Sequence, residues 1–264
     1  DAPVFENLSL RVAEGEIVAL LGSNGAGKTT LARLLCALDR PSAGSITVAG
    51  LPVASSKHGK RPRALTRKER AALRRNVGYV MQHPERQLFA DTVAEDVAYG
   101  PRNQHLSELE VATRVEEALR MLHIEHLADR SPFNLSGGQQ RLVAIAGVIA
   151  CRPRVLIMDE PTASLDESAV SRIHALLGSL KSQGVAVLII THSIDEAEHC
   201  ADRIITMGSH NGDGEGDGCG TGDDGDTSVG DATESSTNAG KAGIESIEDG
   251  SRNRPSFVAY FDPR

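Results

Sequence analysis

The residues best placed to do chemistry form one short run. Gly22, Ser23, Asn24, Gly25, Ala26, Gly27, Lys28 and Thr29 match G-x-x-x-x-G-K-[ST], and Thr30 follows. Glycines in such a loop admit backbone torsions and close approaches that side chains would block. Successive N–H groups can then converge on phosphate oxygens, helped by the N-terminus of the helix that starts behind them. Lys28 is the residue to reach the β- and γ-phosphates, Thr29 offers a hydroxyl to Mg²⁺, and Thr30 assists at the α- and β-phosphates. A second run, Val155 to Met158, is four apolar residues that end in Asp159 and Glu160. A buried strand with that ending places Asp159 at a carboxyl edge, where it can hold Mg²⁺ across from Thr29. If the strand's alternation continues, Glu160 faces away from Asp159 and is the candidate to polarise an attacking water.

Both runs need strands and helices to hold them. Ile17–Leu21 reads as an apolar strand, Gly22–Gly27 as the loop, and Lys28–Ala37 as a helix with Leu31, Leu34, Leu35 and Leu38 recurring on one face. Ser45–Val48 is a short strand, and Val77–Met81 is another that ends at Gln82. Between them, residues 52–75 are strongly basic and read as a solvated loop leading into a helix, with a charged partner or lipid headgroups as the other reading. From Thr92 to Ile149 the periodicity is helical. Thr92 with Glu95 fits a capping box, and Glu110–Leu122 is amphipathic. Strands return at Val155–Met158 and Val185–Ile190, separated by a helix over Glu167–Gln183 that Gly184 caps. Ser193 and Glu196 fit a second capping box. Strands alternating with helices imply a mostly parallel sheet covered on both faces, with the block at about 92–149 inserted into it.

Composition narrows the function. The chain has 264 residues, 28 basic and 36 acidic, for a formal net charge of -8. The imbalance is local, because 11 acids and one Lys fall between Asn211 and Gly250 while residues 1–210 are neutral overall. A basic footprint for nucleic acid is missing, and at 3% aromatic with no Trp the chain has little to stack on bases. Cys36, Cys151, Cys200 and Cys219 lack the spacing of a zinc site or a disulfide framework. No run approaches 18 apolar residues. The first residue is not Met, which suggests a trimmed chain or a piece of something longer. Residues 209–250, rich in Gly and acids, are expected to be disordered, and 251–264 to hold a short return strand at Ser256–Phe261 or a truncated C-terminal part.

Leu135, Ser136, Gly137, Gly138 and Gln139 resemble the signature of ATP-binding cassette ATPases, and stand upstream of the strand carrying Asp159 as in that family. Gln82 resembles the glutamine that precedes the family's helical subdomain, Ser164, Leu165 and Asp166 its dimer-crossing loop, and His192 its switch histidine. The resemblance covers residues 4–207. It implies a P-loop α/β fold with antiparallel N-terminal strands, a mostly parallel core sheet and an inserted helical subdomain. It also implies Mg²⁺-dependent ATP hydrolysis between two cassettes set head to tail, each ATP lying between Lys28 of one and Ser136, Gly137 and Gly138 of the other. In that scheme Asp159, Thr29 and Gln82 serve the metal, Glu160 acts on water, and His192 contacts the γ-phosphate. The partner cassette is a second copy or a related ATPase.

The stretch from Gln82 to Pro101 is similar to the ATPase subunits of energy-coupling factor transporters, which import vitamins, cobalt or nickel. That similarity implies a membrane-embedded partner at the cytoplasmic face of the membrane, with Gln87, Leu88 and Phe89 lining a groove for its coupling helix. Leu88 and Phe89 also fit local core. Other cassette transporters, and soluble cassette ATPases outside transport, are the competing readings. The family's aromatic residue for adenine, upstream of the first strand, has no counterpart before Phe5.

Overall fold

The computed structural model describes residues 4, 8–55 and 63–208, together with the backbone of 255–260. The acidic tract over 209–250 lies outside the described residues.

Five strands make the central sheet. They are β2 (Ile17–Gly22), β5 (Val77–Val80), β6 (Val155–Asp159), β7 (Ala186–Ile190) and β8 (Arg203–Met207), in the order β5-β6-β7-β2-β8. Every pairing in it is parallel. Strands buried on both faces carry near-continuous apolar runs, which is why β7 and the first four residues of β6 read as such runs. Their alternation still sorts two cores. Leu156, Met158, Val187 and Ile189 face one, and Val155, Ile157, Leu188 and Ile190 face the other.

A second sheet is antiparallel, built from β1 (Ser9–Ala13), β3 (Ser45–Val48), β4 (Leu51–Ser55) and β9 (Pro255–Tyr260) in the order β1-β9-β3-β4. It packs on the core that also holds Leu31 and Leu35 of helix α1 (Lys28–Leu35). The late strand lies between β1 and β3, pairing Leu10 and Ile46 with Ala259. The separation in sequence is too large for any local pattern to reveal that pairing.

The helical insertion comprises α3 (Val93–Asn103), α4 (Glu108–Met121) and α5 (Gly137–Ile149), joined to the other core through Val97, Val115, Leu119 and Leu142. Of the basic run, residues 56–62 lie outside the described residues; the rest supplies β4 and the expected helix, α2 (Arg67–Asn76), whose N-cap Thr66 closes a full capping box with Glu69. Helix α6 (Glu167–Ser182) ends where Gly184 takes φ +82, as its C-cap role requires. Helix α7 (Ile194–Cys200) follows β7. Among the described residues no helix is long and apolar enough to cross a membrane.

Candidate functional site

The phosphate loop leaves β2 at Gly22, where an added Cβ would meet the Met207 carbonyl at 2.8 Å, so only glycine fits. Gly27, at φ 94, then turns the chain into α1. Side-chain caps separate this helix from the other six among the described residues. Thr66, Thr92, Ser107, Ser136, Asp166 and Ser193 each accept a backbone N–H at the start of α2 to α7, whereas α1 has no side-chain cap and no acid in its first turn. Its first N–H groups are therefore free to donate to an external anion. Lys28 is buried beside them, its Nζ donating to the Gly22 and Ser23 carbonyls at 2.5 and 3.1 Å. An arriving phosphate offers that ammonium a stronger, charged acceptor.

Thr29 Oγ1 donates to Asp159 Oδ2 at 3.0 Å, so the two residues assigned to Mg²⁺ meet at one point. Burial pushes the Asp159 carboxyl up from its ordinary range, and neighbouring Glu160 adds to this, while the Thr29 hydroxyl and Lys28 oppose it. A buried carboxylate and a hydroxyl next to the anion cradle form the hard oxygen donor set that Mg²⁺ takes alongside a nucleotide's phosphates. The donor set fits the metal. Val4, Asn24, Gly25, Ala26, Gly27, Lys28, Thr29, Thr30, Gln82, Asp159 and Glu160 line a cleft of about 400 Å³. Val4 is an addition to the sequence-based set, and no motif pointed to it.

Glu160 does not continue the strand's alternation. Its φ is 52, a left-handed turn that brings its side chain to the same cleft as Asp159, and its N–H donates to the Ile190 carbonyl at 2.8 Å. Its Oε1 lies 2.8 Å from Nδ1 of His192, which is largely exposed. Gln82 lies at the cleft with its side chain exposed.

Arg141, one turn into α5, is a residue that sequence reasoning missed. Its guanidinium donates to the carbonyls of Gln82 at 2.6 Å, Glu160 at 2.8 Å and Ala163 at 2.7 Å. Burial pulls its pKa down, against the pull of Glu85, Glu160 and Glu196. The signal available in the sequence was an arginine among otherwise apolar inward positions of α5.

The signature stands apart from the cleft. Ser136 caps α5 in a closed box, its Oγ accepting from Gln139 N at 3.3 Å while Gln139 Oε1 accepts from Ser136 N at 3.2 Å. The hydroxyl proton of Ser136 stays free, as do the N–H groups of Gly137 and Gly138. Ser136 and Gly137 are exposed, Leu135 is buried, and none of the five signature residues lines this chain's own phosphate cleft. Behind the motif, Leu165 lies 3.4 Å from where a Cβ on Gly138 would be. Ser164 takes φ 62, and Asp166 caps α6 through Ala169 N at 2.7 Å.

Two expectations divide on inspection. Thr92 accepts from Glu95 N and Ser193 from Glu196 N, but neither glutamate closes a capping box, and Glu196 turns its carboxylate elsewhere. Leu88 is buried, as the local-core reading expects. Gln87 and Phe89 are exposed, and Phe89 meets exposed Tyr99 edge-on with ring centroids 4.9 Å apart.

Comparison with known proteins gives these arrangements a lineage. The ABC transporter family model matches residues 5–163. The energy-coupling factor transporter ATP-binding protein EcfA2 of Symbiobacterium thermophilum is 42% identical over 204 residues, covering 77% of this chain and 67% of that one. A Bifidobacterium longum relative is 69% identical over 207 residues, 77% of this chain, but the chain spans only 26% of its length. The solved structure of cbiO1 from Clostridium perfringens, part of the transporter complex cbiONQ, superimposes with a TM-score of 0.64 at 40% identity, covering 74% of each chain. The chain belongs to the ABC transporter ATPase family and is closely related to the ATP-binding subunits of energy-coupling factor transporters.

Proposed function

We propose that this chain binds and hydrolyses Mg-ATP as the nucleotide-binding subunit of an energy-coupling factor type importer. It works at the cytoplasmic face of the membrane, paired with a second copy or a related ATPase. The observation that carries this reading is the half-built site. A cleft with cation, hydroxyl and carboxylates in place has no signature residue in its wall, while Ser136 and Gly137 stand exposed at a helix N-terminus elsewhere on the chain. Two cassettes set head to tail complete each other, the signature of one closing on the γ-phosphate held by the other.

In this reading the free N–H groups of α1 and the Lys28 ammonium hold the β- and γ-phosphates. Mg²⁺, when bound with ATP by Thr29 and Asp159, neutralises charge on the phosphate oxygens. Water attacks the γ-phosphorus as the bond to the β–γ bridging oxygen breaks, and the attacking water's proton passes to Glu160. His192 orients that carboxylate through Nδ1. Its other ring nitrogen is the one left for the γ-phosphate. Gln82 carries the presence of nucleotide to the surface that continues into Gln87, Phe89 and Tyr99, where the membrane subunit docks.

The test is to co-express the full chain with the membrane proteins encoded beside its gene and measure Mg²⁺-dependent ATPase activity with and without Glu160→Gln. A membrane complex whose turnover collapses in the variant supports the reading. Turnover without any membrane partner, or stimulated by nucleic acid, overturns the transport assignment.

A further inference from the structure

Glu196 lines no part of the phosphate cleft, yet both of its carboxylate oxygens are engaged by segments that carry reacting groups. It is buried on α7. Oε1 accepts from the Thr162 hydroxyl at 2.7 Å, and Oε2 accepts from the Thr191 hydroxyl at 2.6 Å. Thr162 stands two residues after Glu160, and Thr191 stands immediately before His192. The bonds therefore close a ring that runs from Glu160 to Thr162, across Glu196 to Thr191, on to His192 and back through the 2.8 Å contact between Nδ1 and Glu160.

Helix capping alone does not account for this arrangement. A glutamate three residues after a capping Ser ordinarily folds back on the cap's own N–H. Here the Ser193 N–H donates instead to Thr191 Oγ1 at 3.1 Å, which frees the carboxylate for the two hydroxyls. A buried carboxylate is costly unless it is hydrogen-bonded, and bonds to an ionised acceptor are about twice as strong as neutral ones. Two such bonds to one rigid helix fix the separation of the segments they join. Arg141, His174 and Cys200 sit close enough to feel the charge. None of them donates a side-chain hydrogen bond to the carboxylate, which leaves the two threonine hydroxyls as its donors among the described residues.

We propose that Glu196 is a positioning residue for hydrolysis, setting the distance between Glu160 and His192 without touching nucleotide. The inference rests on Glu160 acting on the attacking water. It predicts a loss in kcat with ATP affinity preserved, a split that general loosening of the fold would not produce.

The test uses steady-state ATP turnover of the full chain in its transporter assembly, binding of a fluorescent ATP analogue, and thermal melting. Glu196→Gln and Thr162→Val are each expected to lower kcat about tenfold, the equivalent of ~1.4 kcal/mol in the barrier, with KM and analogue affinity within about twofold. Thr162→Ser, which keeps the hydroxyl, is expected to restore wild-type kcat. In a His192→Ala background, Glu196→Gln is expected to add less than about a twofold loss, because the partner it positions is gone. Unchanged kcat in Glu196→Gln, a full tenfold loss in the His192→Ala background, or a loss of affinity in place of kcat overturns the proposal. If Glu196→Gln melts too early to assay, the Thr162 pair decides it. Wild-type turnover in Glu160→Gln would instead overturn the underlying reading of Glu160.

Discussion

The Thr29 hydroxyl donates to Asp159 across 3.0 Å, joining segments 130 residues apart in sequence. Apart from the Lys28 charge nearby, that single bond is the main compensation Asp159 has for its burial. Asp159 is thus built for a ligand and not for the stability of the nucleotide-free chain. Asp159→Asn should raise the melting temperature of the nucleotide-free protein while removing Mg²⁺-dependent turnover. A variant that melts lower than wild type would show that the carboxylate has a structural role.

The same carboxyl gives a pH dependence of known sign. Its pKa in the folded chain is raised, so just above the ordinary carboxylate range the folded state keeps a proton that the unfolded state has lost. Its contribution to stability is therefore lost as pH rises through that window. Melting temperatures of wild type and Asp159→Asn should coincide near pH 3 and separate with rising pH, the variant being the more stable. Parallel curves would exclude Asp159 as the source.

Glu160 and His192 should separate by the size of their effects. Glu160→Gln keeps the shape and removes the proton acceptor, and should cut turnover by roughly 10²- to 10⁴-fold while ATP still binds. His192→Ala removes the group that orients Glu160 through Nδ1, and should cut it by less. Single-turnover phosphate release measures both. Equal losses would mean that the two residues act as one unit.

Much of this site was legible because its parts are local. The phosphate loop, the strand ending in Asp159 and the signature are each contiguous, and each sits on the element that its periodicity predicts. What stayed hidden depends on partners distant in sequence. Arg141 donates to Gln82, 59 residues earlier, and to Glu160, 19 later, which no helical pattern announces. Glu196 matched a capping box by spacing, but tertiary partners claimed its carboxylate. Alternation placed Glu160 opposite Asp159 because it assumes that the strand continues, and a φ of 52 ends it there.

Arg141 makes a stability prediction of its own. Its removal takes a donor from three inward carbonyls, of which that of Glu160 keeps the Ala163 N–H at 3.3 Å, and leaves a hollow beside α5, at a cost of ~3 kcal/mol or more. Arg141→Ala should melt about 6–12 °C below wild type. Arg141→Lys should fall between them, since one ammonium cannot span the three acceptors in the guanidinium's geometry. A lysine variant as stable as wild type would mean that charge alone is needed.

The Phe89–Tyr99 pair should behave in the opposite way. Both rings are more than half exposed, 57% and 55%, and they touch edge-on at 4.9 Å. Beneath them, one carboxylate oxygen of Asp96 on α3 accepts the N–H groups of Phe89 at 2.8 Å and Ala90 at 3.0 Å, which holds the loop against that helix. The loop is thus fixed by backbone bonds that do not depend on either ring. Losing one ring removes an aromatic pair worth about 0.5–1.5 kcal/mol, a small fraction of a domain's stability. Phe89→Ser and Tyr99→Ser should therefore fold and bind ATP as wild type does. At an interface the same exposed aromatics are the residues expected to carry binding energy. Each serine variant should lose most of its co-purification with the membrane subunit, and with it the transport-coupled part of its ATPase activity. Asp96→Ala, which frees the loop but keeps both rings, should weaken the complex by a smaller factor. Full retention of the membrane partner by the double serine variant would remove this surface from the docking site and leave the ATP chemistry untouched.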